Sequence, residues 1–166
     1  MDPTVAAFLG ISLTFVVCAL FAFWYVVPWL RAQRRAAALM PLLWIHAARH
    51  VALQIYSSQR AGLVVPDQLR DEIAYGDVAG MLLALGALVA LRAQSRFAVP
   101  LVWLFAAETT ADLLGSMVGG MRAGMIATAH NVTWLILVFY VPMLWTTLAL
   151  IVWQLVARRA ESIESP

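Results

Sequence analysis

The sequence contains no lysine; all 11 of its basic residues are Arg. Charge of either sign is scarce, at 12% of residues, where a soluble domain carries roughly 25%. The single cysteine, Cys18, excludes an internal disulfide, and its apolar surroundings predict a buried, inert thiol. No Gly-rich phosphate loop, zinc ribbon, partnered Ser nucleophile or nucleic-acid module is present, so nucleic acid is not an expected partner. What remains is apolar: 63% of the 166 residues are hydrophobic, with a mean hydropathy of +0.84. A water-soluble globule of this composition is excluded.

A helix rises about 1.5 Å per residue, so crossing the roughly 30 Å hydrocarbon core takes about 20 residues. Seven spans would leave almost no loops, whereas four or five fit. The hydrophobic runs predict an all-α, polytopic integral membrane bundle of five transmembrane helices, forming a single domain over 1–166 with spans at about 5–30, 36–56, 72–91, 98–118 and 127–156. The first run follows Met1, Asp2, Pro3 and Thr4, lacks a positive n-region and is too long for a signal h-region, so it is expected to stay as the first span.

Arg placement sets the expected orientation. Arg31, Arg34, Arg35, Arg92, Arg96, Arg158 and Arg159 follow spans one, three and five, against Arg60, Arg70 and Arg122 in the opposite loops. That bias predicts an outside N-terminus and a cytoplasmic C-terminus, in a bacterial inner or plasma membrane. Trp24, Tyr25, Trp29 and Trp153 fit an aromatic belt at the Arg-bearing ends.

An internal similarity runs through the first four spans. Leu30-Arg31-Ala32-Gln33 is repeated as Leu91-Arg92-Ala93-Gln94, and Pro41-Leu42-Leu43-Trp44 as Pro100-Leu101-Val102-Trp103. The expectation is a tandem repeat of two helical hairpins plus a fifth helix, in which Arg49 aligns with Glu108.

Polar residues inside the spans are the candidate site. His46, Arg49, His50 and Gln54 stand at i, i+3, i+4 and i+8, one stripe of a regular α-helix, and Glu108, Thr109, Asp112 and Ser116 form a second stripe. The apolar part of segment three, from Val78 to Leu91, measures only about 21 Å, which draws Asp77 and Tyr75 into the outer leaflet. Ala107, Ala111, Gly115 and Gly119 form a small-residue ladder expected to pack against another helix. Ionisable residues at such depth are costly and generally functional.

One Arg against Asp77, Glu108 and Asp112 leaves two negative charges uncompensated. Retained protons, a charged His or a bound cation would restore balance, as would Arg70 or Arg122 folding inward. The proton- or ligand-binding candidates are therefore His46, Arg49, His50, Gln54, Asp77, Glu108 and Asp112, with His130 and Asn131 expected to cap the outer mouth. His46, His50, Glu108 and Asp112 are weaker candidates for a divalent metal. Haem is disfavoured because His130 lies roughly 42 Å of helix from Arg158.

Five spans and seven Trp give the chain a build that resembles the tryptophan-rich sensory proteins of the translocator type, but the proline-tryptophan runs that identify that family are absent. The leading functional expectation is a polar, outward-facing intramembrane pocket that binds, senses or transports a small molecule, cation or proton. The alternatives are a membrane-embedded enzyme with His/carboxylate acid-base chemistry on a lipid-soluble substrate, or a non-catalytic subunit of a larger assembly. Expected partners are the lipid bilayer and a second copy or a larger membrane complex.

Overall fold

The computed structural model describes residues 1–161. Those residues form helices and turns, without a strand among them. Five helices are long and apolar enough to cross a membrane: α1 (Pro3–Ala32), α2 (Arg35–Arg60), α3 (Asp67–Arg92), α4 (Ala98–Arg122) and α5 (Asn131–Ala157). A one-turn helix, Met125–Thr128, links α4 to α5.

The helix ends follow local chemistry. Asp2 caps α1 by accepting from the backbone N–H groups of Thr4 (2.8 Å) and Val5 (3.2 Å), with Pro3 at the first helical position. At the end of α2, Gly62 adopts φ 108°, its N–H donates to the Gln59 carbonyl, and the Leu63 N–H donates to that of Ser58. That is the Schellman arrangement. The end of α3 has the same pair of bonds, Gln94 to Leu91 and Ser95 to Ala90, although Gln94 must take φ 52° to form it. The third span begins at Asp67, directly after Pro66 and ahead of the expected residue 72, so the loop before it shrinks to residues 61–66.

Two prolines leave matching marks. Pro28 and Pro142 each lack an N–H and crowd the carbonyl a turn earlier, and each is preceded by a five-residue π-helical turn, Ala22–Val26 in α1 and Ile136–Tyr140 in α5. The wider turn removes the clash without breaking the helix.

α3 lies centrally, packed along α4 and α2, while α5 packs on α1, α2 and α4. α1 is peripheral and touches mainly α5 and the Met125–Thr128 turn; only 11% of its apolar window is buried. Accordingly Cys18 is half-buried, not sequestered. One hydrophobic core, with Leu39, Leu43, Leu91, Phe105 and Ile151, fills the Arg-rich end of the bundle, and a smaller one around Ile55, Leu63, Ile73 and Met125 fills the other. Between them lies a polar layer.

Candidate functional site

Arg49 is the centre of that layer and has no solvent exposure. Its Nε donates to Asp77 Oδ1 at 2.7 Å, its Nη1 to Thr109 Oγ1 at 2.9 Å, and its Nη2 to Asp112 Oδ2. Glu108 Oε2 stands 3.8 Å from Nη1, joined through the Thr109 hydroxyl, which donates to it at 3.2 Å. A charged fork thus binds two helices to a third, with three carboxylates 11–22% exposed around it. Such a guanidinium is kept in an apolar bundle only by this full set of acceptors.

Two glycines on α3 make the approach possible. A Cβ at Gly80 would collide with the Arg49 guanidinium, and one at Gly76 with the Asp112 carboxylate. Their i, i+4 spacing opens a channel along α3 in which both charged groups lie. The ladder expected to pack is elsewhere: Ala107, Ala111 and Gly115 are exposed, and only Gly119 meets a neighbour, Leu69. The apolar stripe buried on α4 is instead Val102, Phe105, Ala106 and Leu113, which left the small residues on the outer side.

No second cation joins the layer among the described residues. Arg70 pairs with Asp67 and Asp71, each at 2.8 Å, donates to Gln59, and lies over the Tyr56 ring at the opposite rim of the bundle. Arg122 is exposed. The imbalance of one cation against three carboxylates therefore persists in the folded chain.

Asp77 and Asp112 also line a cavity of about 220 Å³ beneath α1, whose walls are almost wholly apolar and include Phe8, Phe15, Leu137 and Leu144. Gln54, Ser116, Thr133 and Tyr140 supply its remaining polar groups. Tyr140 donates its hydroxyl to the Ile45 carbonyl at 2.9 Å, so it is fixed in place from α5.

The histidines do not join this cluster. α2 narrows to a 3₁₀ helix over Ala48–Gln54. There each residue turns about 120° where an α-helix turns about 100°, so His50 stands about 100° from His46 and not about 40°. The expected single stripe is thereby split. Arg49 turns inward and His50 outward, exposed, with Nδ1 3.3 Å from the Ala47 carbonyl. His46 is fully buried but faces α5, its Nε2 3.0 Å from Thr147 Oγ1 and its ring edge-on to Phe105. Thr147 Oγ1 also lies 2.9 and 3.1 Å from the Met143 and Leu144 carbonyls, and His46 Nδ1 is left without a partner.

Gln54 also turns toward α5, donating to Thr133 Oγ1 at 3.2 Å and accepting from Ser58. His130 turns back to the Thr128 carbonyl, 2.9 Å from its Nδ1, and Asn131 is exposed at φ 50°. Neither caps the carboxylates. Among the described residues, no three His, Cys, Asp or Glu side chains are grouped to hold a metal ion, and the set His46, His50, Glu108 and Asp112 is dispersed for the reasons above.

Tyr140, Thr133 and Thr147 have no signature as site groups in the sequence, because a lone hydroxyl in an apolar helix carries no periodic signal. Gly76 and Gly80 do have one, their GxxxG spacing. No curated protein and no solved structure matches the chain. A family model described as a domain of unknown function, DUF8737, covers residues 6–156, and the chain belongs to that family.

Proposed function

We propose that this chain is an integral membrane protein that binds a proton or a small lipid-soluble cation beside Arg49, and that this binding serves sensing or transport. The observation that carries the reading is the charge count around one buried guanidinium: Asp77, Asp112 and Glu108 surround Arg49, while Arg70 is engaged elsewhere. Two of those carboxylates face a cavity whose other walls are apolar. At about 220 Å³ the space is below the roughly 300–1,000 Å³ of pockets for drug-sized ligands. It suits a proton, or a short amine with its cationic head on Asp77 and Asp112. The enzyme reading lacks its acid-base pair, since neither His46 nor His50 faces a carboxylate.

The orientation proposed has the N-terminus outside a bacterial inner or plasma membrane, from the Arg distribution, with α1–α2 and α3–α4 as duplicated hairpins and α5 as an addition. A second reading, a subunit of a homodimer or larger membrane assembly, is favoured by the exposed small-residue face Ala107, Ala111 and Gly115, which would let another helix approach closely.

The test is a set of melting curves for the purified protein and Asp112→Asn across the pH range where carboxyl and imidazole groups titrate, with and without butylamine, and with a chelator to detect metal. The parent should respond to pH or amine, and the variant should lose most of that response. A parent insensitive to all three, beside a variant that melts lower at every pH, would leave the cluster as structural glue.

A further inference from the structure

A second cavity, of about 660 Å³, opens at the Arg-rich end of the bundle, between the start of α2, the α3–α4 turn and the end of α5. Three guanidinium groups line it: Arg35, Arg96 and Arg159. Among the described residues none of the three is paired with a carboxylate. Arg35 is only 4% exposed; it donates to the main-chain carbonyls of Leu155 and Glu161, both at 3.2 Å, and its buried Nε–H has no acceptor. The one acid on the wall, Glu161, has both carboxylate oxygens on Arg158, at 2.7 and 2.5 Å, and that guanidinium holds its carboxyl below the usual glutamate range. The cavity is therefore cationic, with the buried Arg35 charge beneath the exposed Arg96 and Arg159.

Its other wall is apolar. Val99 and Leu155 continue into Trp103 and Val156, which are 43% and 56% exposed. A free inorganic anion has no use for such a wall, whereas a lipid carries its phosphate and its first methylenes together. The volume is also within the range of sites that enclose a molecule rather than a single ion.

We propose that this cleft is a headgroup site for an anionic phospholipid, with the phosphate received by Arg96 and Arg159, the buried Arg35 adding its charge from beneath, and the acyl chains running from Trp103 and Val156 along the bundle. The assignment rests on the membrane reading above, and it is independent of the Arg49 cluster. Arg groups at a bilayer surface favour anionic lipids generally. The cleft adds a fixed constellation of three guanidinium groups beside an apolar wall to that diffuse attraction, so its effect should be local to these residues.

The test uses the full chain in phosphatidylcholine nanodiscs, with phosphatidylglycerol or additional phosphatidylcholine introduced and both melting temperature and lipids retained in native mass spectra recorded. Phosphatidylglycerol should raise the melting temperature and stay bound; phosphatidylcholine and inorganic phosphate should not. Arg96 and Arg159 are exposed, so Arg96→Gln/Arg159→Gln should fold and melt as the parent does in phosphatidylcholine alone, yet hold phosphatidylglycerol roughly tenfold or more weakly. Arg60→Gln/Arg122→Gln, at the other end, should keep the full response. Equal retention of the two lipids, an undiminished response in the first double variant, an equal loss in the second, or a shift reproduced by phosphate alone would each overturn the headgroup site. Failure to enter nanodiscs at all would refute the membrane reading instead.

Discussion

Arg49 turns a chemical problem into a packing constraint. Its five N–H donors and single charge are distributed over Asp77, Thr109, Asp112 and, more distantly, Glu108. Removing one partner of a buried pair leaves uncompensated charge, at a typical cost of about 3–5 kcal/mol. Arg49→Met should therefore be strongly destabilising in detergent. In double-mutant cycles, coupling of Arg49 to Asp77 should exceed coupling to Glu108, because the contacts are 2.7 and 3.8 Å. Additive behaviour at Asp77, or stronger coupling at Glu108, would contradict the geometry. The similarity between the first two pairs of segments aligns Arg49 with Glu108, and that partner is present but peripheral. Asp77 became the close one because Gly76 and Gly80 let the Arg49 and Asp112 side chains lie against α3.

At the scale of the helix, the terminations are the clearest place where residue type and conformation agree or conflict. Gly62 occupies a left-handed position at no steric cost, whereas Gln94 occupies the equivalent one with a Cβ. A left-handed L-residue costs roughly 1–2 kcal/mol. Gln94→Gly should thus raise thermal stability, by about 1 kcal/mol at most after the entropy of the added glycine, and Gly62→Ala should lower it by a similar amount. Melting curves of the two single variants decide it; a Gln94→Gly protein less stable than the parent would show that the Gln94 side chain contributes more than its backbone costs. The 3₁₀ segment of α2 is a different matter, since nothing in Ala48–Gln54 breaks a helix by composition. It accompanies the Arg49 contacts with α3 and α4, a tertiary effect on a local geometry.

For the whole molecule, the arrangement is two apolar cores with an ionic layer between them, and a peripheral α1 that closes the cavity beneath it. The seven Arg at one end against three at the other predict which end is cytoplasmic. A reporter active only in the cytoplasm should work when fused after Pro166, and one active only outside should work when inserted after Ala61, which is exposed at the start of loop 61–66, ahead of the buried Leu63 and Val65. The inverse pattern would place the Arg49 cavity and the arginine-lined cleft on the wrong sides of the bilayer.

Composition and hydropathy determined that this chain is helical and carries five segments able to span a membrane, because about 20 apolar residues in a row have few other solutions. That Arg49, Asp77, Glu108 and Asp112 stand at a common level of the bundle was likewise legible, since position along a helix is a matter of counting at a fixed rise. Direction around the helix was not. It depended on the regular 3.6-residue turn, and over Ala48–Gln54 that turn is tightened, which separated His50 from His46 and scattered the metal candidates. Nor could periodicity say which small residues would pack: two glycines on α3 received the charged side chains, and the longer ladder on α4 stayed on the outer surface. Side-chain contact between helices is decided by rotation and close approach, and those come from the packing of all five helices together rather than from the pattern of any one.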